Sequence, residues 1–451
     1  MGMSVTGLRT TAARRLAAAA LMAILSGCAN YAPLPLSTQM PLRSTVSALD
    51  QADTDTTAPL TVADIVRLAV ANNPDLKAAR AQQGVAEAQL LQAGLLPNPS
   101  VNGLYTPVLS GPGVTPAWSA GLSEDIRSLI TLASRRKAAA AAAQQVSATI
   151  LWQEWQLMGK ARLLVIQIAG DERMAAVLRE TQAMLAQRYD HTRHAVATGD
   201  ADLTALSPDL TALGDVEKQI DDLDRQRQTH RHDLNALLGL APGVPIRLAP
   251  VADPPEIDHA KIQSDLAFLA DRRPDLIALR LGYTAQDAKL RSAILAQFPA
   301  LNIGLTGGSD NSNVRTIGPQ ITLELPIFDR NQGNIAIERA TRQQLHNEFR
   351  ARLATAESEA GALLDDISLT RRQLPPLRAR TQEARRMGKQ AEAAFAAGNL
   401  TERAYVDFIS ARLARQQELL GLEQSLREQH VALDTLIGAG MPVVSLPKET
   451  Q

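Results

Sequence analysis

A single cysteine, Cys28, serves the whole 451-residue chain, so no disulfide can form within it. Aromatic residues make up only 3%, which argues against the usual globular core, where rings supply much of the buried area. The formal net charge is -1 and gives no reason to expect nucleic acid as a partner. The apolar run Leu16 to Leu25 has about half the ~20 residues that a spanning helix needs. There is no Gly-rich phosphate loop of the Walker kind, and no Cys-His pair or catalytic constellation stands out. The reading is a protein without a reaction or cofactor of its own.

The N-terminus is informative. Arg9, Arg14 and Arg15 precede the Leu16–Leu25 run, and Leu25-Ser26-Gly27-Cys28 follows. A basic region, a short apolar region and a small-residue cleavage site make a signal peptide of residues 1–27. The position of Cys28 after Leu-Ser-Gly resembles the lipobox of bacterial lipoproteins, which implies cleavage before Cys28 and its acylation. Several acyl chains, at about 0.8 kcal/mol per buried CH₂, anchor a protein stably. Ala29 stands where an aspartate resembling an inner-membrane retention signal would be, which favours the outer membrane. Residues 28–60 are rich in Pro, Ser and Thr and read as an extended tether.

Beyond the tether the chain repeats itself. NPDLKAARAQQGVAEAQLLQAGLLPNPSVNGL at 73–104 aligns without a gap on RPDLIALRLGYTAQDAKLRSAILAQFPALNIG at 273–304, with 11 identities in 32 positions, against about two expected by chance. Gly199 and Gly239 are spaced like Gly398 and Gly438. Two units that fold alike are therefore expected at 61–243 and 261–440. Residues 244–260 would link them, and 441–451 would be a tail.

Each repeat reads helix, two strands, long helix, return helix. Thr61 caps a helix to about Leu96, stopped by Pro97-Asn98-Pro99. Strands are expected at 100–108 and 117–126. The proline-free stretch from Leu129 to Ala197, with ASRRKAAAAAAQQ at 133–145, predicts a helix of roughly 70 residues, about 100 Å long. Gly199-Asp200 breaks it and a return helix reaches Leu238. The second copy predicts a helix over 261–297, strands at 300–308 and 316–327, a long helix from about Asn334, and a return helix over 400–437. Pro375-Pro376 should kink or interrupt the long helix. Gly307-Gly308 reads as a hairpin turn.

In the strands Leu301, Ile303 and Leu305 alternate with Asn302, Gly304 and Thr306, and Ile321, Leu323, Leu325 and Ile327 alternate with Gln320, Thr322, Glu324 and Pro326. Such segments suit a barrel wall, apolar to lipid and polar to a lumen, or equally a half-buried soluble sheet. Secretion and lipidation favour the wall. Four strands cannot close a barrel when the smallest have about eight, and open edges are not viable in lipid. The chain must then be an oligomer, and a trimer would supply about twelve strands.

The NPDL and RPDL helix starts, the LPNPSVN and FPALNIG junctions, LELPIFDRNQGN at 323–334 and AFAAGNLTERAYVDF at 394–408, in this order and in tandem, resemble the outer-membrane efflux protein (TolC-like) family. The resemblance covers nearly all of 60–440 and points to the lipoprotein branch serving tripartite RND-type pumps. EDIRSLITLASRRKAA at 124–139 departs from LELPIFDR, with about two extra residues before its helix. It looks more like the branch working with heavy-metal or organic-compound pumps. The resemblance implies a mainly α fold with a β-barrel part. Three copies would form a twelve-stranded barrel in the outer membrane and a long α-helical barrel in the periplasm of a Gram-negative bacterium. It further implies a periplasmic adaptor and an inner-membrane transporter as partners, with outer-membrane lipid around the barrel.

Acids gather where the helical hairpins turn: Asp200, Asp202 and Asp209 near Gly199, and Glu402 and Asp407 near Gly398. In a symmetric channel each becomes a ring that concentrates cations at a constriction. Helix-start acids complementing the macrodipole account for Asp200, Asp202 and Glu402 equally well. Leu400, Arg403 and Tyr405 are candidates to hold such a gate shut. The tips Gly199, Gly398 and Asn399 should contact the adaptor. His191 and His194 share a helix face but lack a third ligand, so a solvated face is expected and no metal site. His230 and His232 fall on different faces. A passive exit duct for metals, drugs or organic compounds is the leading reading. A duct for type I protein secretion and a non-channel periplasmic coiled-coil lipoprotein are the alternatives.

Overall fold

The computed structural model describes residues 31–38, 42–52, 58–113 and 115–444; Cys28 and the signal peptide lie outside them. The chain divides into Met1–Leu42 and Arg43–Gln451. In the first unit residues 31–38 are exposed and carry no regular secondary structure.

The second unit opens the first repeat with α1 (Val62–Asn72) and α2 (Pro74–Gly94). Thr61 and Asp64 form a reciprocal capping box on α1. The expected single helix to Leu96 is divided at Asn73-Pro74. Proline pushes the preceding residue out of the α region, and Asn73 caps α2 by accepting from the Leu76 N–H at 2.9 Å. β1 (Ser100–Thr106), β2 (Ala117–Asp125), α3 (Ile126–Thr198) and α4 (Leu206–Leu237) follow. The second repeat contains α5 (His259–Ala267), α6 (Leu269–Arg272), α7 (Pro274–Leu295), β3 (Leu301–Ser309), β4 (Arg315–Leu323), α8 (Gln332–Ala396) and α9 (Glu402–Ile437). The helix expected over 261–297 is thus three pieces, again parted before a proline. Among the described residues no helix is long and apolar enough to cross a membrane.

The duplication is visible in the packing. Ala161, Ile168, Leu234 and Leu238 belong to one buried cluster, and Ala360, Ile367, Leu433 and Ile437, each 199 positions on, belong to another. Arg80 and Arg280, identical in the two copies, donate from Nη1 to the carbonyls of Val70 at 3.1 Å and Ala270 at 3.3 Å. A third cluster joins α3, α4, α8 and α9 near the hairpin ends through Leu178, Leu185, Val216, Tyr405 and Ile409.

Three further expectations change. The tether does not extend to residue 60: Leu49 is buried, Arg43 bridges to Leu240, and Leu60 bridges to Leu248. The apolar side chains of Val46, Leu49 and Leu60 pack onto the first repeat's core, which overrides the polar composition around them. The long second helix runs through Pro375-Pro376 without a non-helical break. Pro375 is exposed while Leu374 and Leu377 on either side of the pair are buried, so packing of the flanking leucines holds the helix through the hydrogen bonds that the prolines cannot make. Finally, Gly307 and Gly308 lie inside β3, opposite Ile317 and Thr316. The turn is at 310–314, where the Asp310 carboxylate accepts from the N–H groups of Ser312 at 2.8 Å and Val314 at 2.9 Å.

The two copies also differ at the strand-to-helix step. α3 begins directly after Asp125, whereas residues 324–331 separate β4 from α8. The extra residues lie in the second copy, where β4 stops at Leu323 short of the expected 327, and not in the first.

Candidate functional site: a two-faced sheet and the hairpin ends

The strands form one antiparallel sheet in the order β1-β2-β3-β4. Its register gives the two faces opposite characters. Val101, Leu122, Leu305 and Pro319 share a row; Ile303 and Ile321 share the next toward the helices with Glu124; and near the turns Tyr105 stands opposite Trp118, in a row that Ser309 and Arg315 continue. Val101, Tyr105, Leu122, Leu305, Ile317 and Ile321 are all exposed. The other face carries Asn102, Ser119, Ser123, Thr306, Thr316, Gln320 and Thr322, with Leu104 as an exception. Glycine keeps that face open: a Cβ on Gly121 would collide with the Asn102 Oδ1 and press on the Gln320 Oε1.

Exposed Phe298 and Phe328 flank the sheet at its helix end. At the turn end Ser309, the last residue of β3, pairs with Trp118. β3 itself, Leu301–Ser309, gives about 26 Å of strand at ~3.3 Å per residue, or about 20 Å along the normal at a tilt of ~40°. Exposed aromatic residues thus stand at both ends of the apolar strands, Phe298 and Phe328 at one and Tyr105 and Trp118 at the other.

At the other end of the long helices both hairpins turn alike. Gly199 (φ 83°) and Gly398 (φ 73°) are left-handed, and the N–H groups of Asp200 and Asn399 each return 2.8 Å to the carbonyls of Ala195 and Ala394. Gly199, Gly398 and Asn399 are exposed there. Asp200 accepts from the Thr198 hydroxyl at 2.7 Å, and Asp202 accepts from the Thr204 N–H at 3.2 Å. Both are exposed, as is Asp407 on α9.

Asp209 and Glu402 behave differently from these solvent-facing acids. The Asp209 side chain has 0% exposure and ion-pairs with the Arg188 Nε at 3.5 Å. Glu402 pairs with the same guanidinium. The Thr192 hydroxyl contacts both carboxyl groups, Asp209 at 2.6 Å. Arg188 also stacks 4.1 Å over the Phe395 ring, which in turn packs on Tyr405. The cluster therefore ties the α3/α4 hairpin to the α8/α9 hairpin within one protomer, and Asp209 offers no surface to a lumen here. Burial, then the adjoining Glu402, pushes Asp209 up to about 6. Burial would raise Glu402 too, but bonds with Asp209, Thr192 and Arg188 outweigh it and hold it below the usual range.

Tyr405 is buried and Leu400 half-buried in the hairpin-end core, while Arg403 is exposed. Arg188, Thr192 and Phe395 escaped the sequence reading, although the i, i+4 spacing of Arg188 and Thr192, about three and two turns before Gly199, places them on one face. His191 and His194 are exposed, and among the described residues no three His, Cys, Asp or Glu side chains are grouped to hold a metal.

A sheet with one largely apolar and one polar face, continued by paired helices of 73 and 65 residues, is a fold shared with solved outer-membrane channel chains. Residues 268–439 match the family described as outer membrane efflux protein. The chain is 26% identical over 356 residues to the cobalt-zinc-cadmium resistance protein CzcC of Cupriavidus metallidurans, covering 69% of this chain and 76% of that one. In fold it is similar to CusC (TM-score 0.68, 20% identity, 91% of this chain and 99% of that chain). It is likewise similar to the CmeC outer membrane channel of Campylobacter jejuni (TM-score 0.72, 16% identity, 91% and 94%).

Proposed function

We propose that three copies close one pore, the β4 edge of each pairing with the β1 edge of the next, to make the outer-membrane exit duct of a tripartite efflux system. The observation carrying this reading is the sheet itself. It has two faces of opposite polarity and two unpaired edges, and unpaired edges are not tolerated in lipid. The duct does no chemistry: an inner-membrane transporter supplies energy through a periplasmic adaptor that meets the tips at Gly199, Gly398 and Asn399. Similarity to a cobalt-zinc-cadmium resistance protein favours metal ions as cargo over drugs, organic compounds or secreted protein. Deleting the gene and comparing export of metals, drugs and a secreted protein separates these.

Asp200, Asp202 and Asp407 are the acids whose exposure fits a cation-concentrating ring. Purified protein in planar bilayers should conduct and prefer cations, and the triple alanine variant should lose part of that preference while keeping its mass in detergent. Absence of conductance from correctly folded protein would refute the channel reading.

Acylation of Cys28 is part of the same proposal. Metabolic labelling with a palmitate analogue should mark the wild type and miss Cys28→Ala, with folding unchanged because the barrel supplies most membrane affinity. Equal labelling of both would remove the lipid anchor.

A further inference from the structure

The hydrogen-bond inventory around Thr192 does not balance if both neighbouring acids are ionised. Its hydroxyl has one proton and three acceptors in reach: the Arg188 carbonyl at 3.2 Å, Asp209 Oδ2 at 2.6 Å and Glu402 Oε1. It can donate to one carboxylate, leaving the other pressed against a lone pair. One cation, Arg188, faces both acids. The Asp209 Oδ1 is buried with no hydrogen-bond partner, which costs far less as the carbonyl of a neutral acid than as half of a carboxylate.

We propose that Asp209 and Glu402 bind one shared proton, and that this proton fastens the first helical hairpin to the second at the end remote from the sheet. With it, Asp209 donates into the Glu402–Thr192 pair and the cluster is neutral: one guanidinium against one carboxylate. Without it, two carboxylates face one guanidinium in a buried site, and repulsion pushes α4 and α9 apart. The groups facing the cluster are few. α3 contributes Arg188; α9 contributes Glu402, with Tyr405 and Arg412 further off; α8 contributes the Phe395 face and, toward Tyr405, Glu392. None of the outer groups replaces the missing proton.

The sign follows from linkage. Asp209 holds its proton more tightly in the joined arrangement than an exposed aspartate does. Lowering the pH through about 6 therefore tightens the hairpin ends, and raising it through that value loosens them. The device depends only on the protomer and does not require any acid to line a pore.

The test uses the full-length protein in detergent. Infrared difference spectra should show a protonated carboxyl band in the wild type that titrates near pH 6 and is missing from Asp209→Asn. Hydrogen exchange, corrected for the intrinsic rate, should lose protection in segments 185–215 and 395–412 on the order of tenfold from about pH 5 to about pH 8. The loss should be confined to the wild type, because the amide introduced by Asp209→Asn is neutral at every pH. Glu402→Gln is the second variant should Asp209→Asn misfold, and it should flatten the same pH dependence. A wild type without a titrating carboxyl band, or with protection constant across that range, overturns the proposal.

Discussion

Arg273→Ala should be the most destabilising single replacement in the second repeat, lowering stability by about 3–5 kcal/mol, the range for breaking a buried ion pair by removing one partner. The Arg273 side chain is 1% exposed and lies 2.7 Å from the Asp275 Oδ2. It also donates to the Leu436 carbonyl at 3.1 Å and stacks 4.8 Å over the Trp152 ring. Its loss leaves Asp275, 11% exposed, with Arg352 at 2.8 Å as its remaining ion-pair partner. Burial would raise Asp275, but Arg273 and Arg352 outweigh it and hold the carboxyl below its ordinary value. Such a depressed acid stabilises the fold above its unfolded pKa, and that contribution disappears as pH falls through the folded value. The deficit of Arg273→Ala should therefore be greatest near neutrality and shrink as acid neutralises Asp275. Urea midpoints followed by helical circular dichroism at several pH values check this. A deficit independent of pH would assign the role of Arg273 to packing on Trp152.

Gly304→Val should abolish assembly of the sheet. A Cβ at Gly304 would strike the Leu122 carbonyl oxygen and come within 2.8 Å of the Ser123 Cβ and 2.9 Å of its Cα. The carbonyl oxygen and the Cα belong to the β2 backbone and cannot rotate away. Overpacking costs about 1–3 kcal/mol where side chains can yield, and here the β2–β3 ladder itself must separate. Gly318→Ala, with nothing within 4 Å of the added carbon, is the matched control. Recovery of oligomer in detergent should collapse for Gly304→Val and stay at the wild-type level for Gly318→Ala. Equal recovery would show that the strands shift to accept the side chain.

The repeat, its order of elements and the alternation in the strands were legible in the chain because each depends on local periodicity or on spacing between like segments. The glycines at 199 and 398 were legible for the same reason: a helix that must reverse needs a left-handed residue, and both are left-handed. Helix breaks at Asn73 and Arg273 were in principle readable from the following proline, but the apolar stripe concealed them.

What the sequence could not decide was which polar residues face each other across the fold. Asp209 and Asp200 are equally acidic and both lie shortly after Gly199, yet Asp200 is exposed and Asp209 lies under Arg188 and Thr192. Arg188 and Glu402 are 214 positions apart in the chain, and no local rule pairs them. Asn73 and Arg273 occupy equivalent positions and look unrelated, yet they do the same task, donating to the Leu237 and Leu436 carbonyls at the ends of α4 and α9. Periodicity along the chain determined the elements, their duplication and the two faces of the sheet. The packing of one hairpin on the other decided which charges are buried, because burial depends on what neighbouring helices bring to a point and not on the residue's own segment.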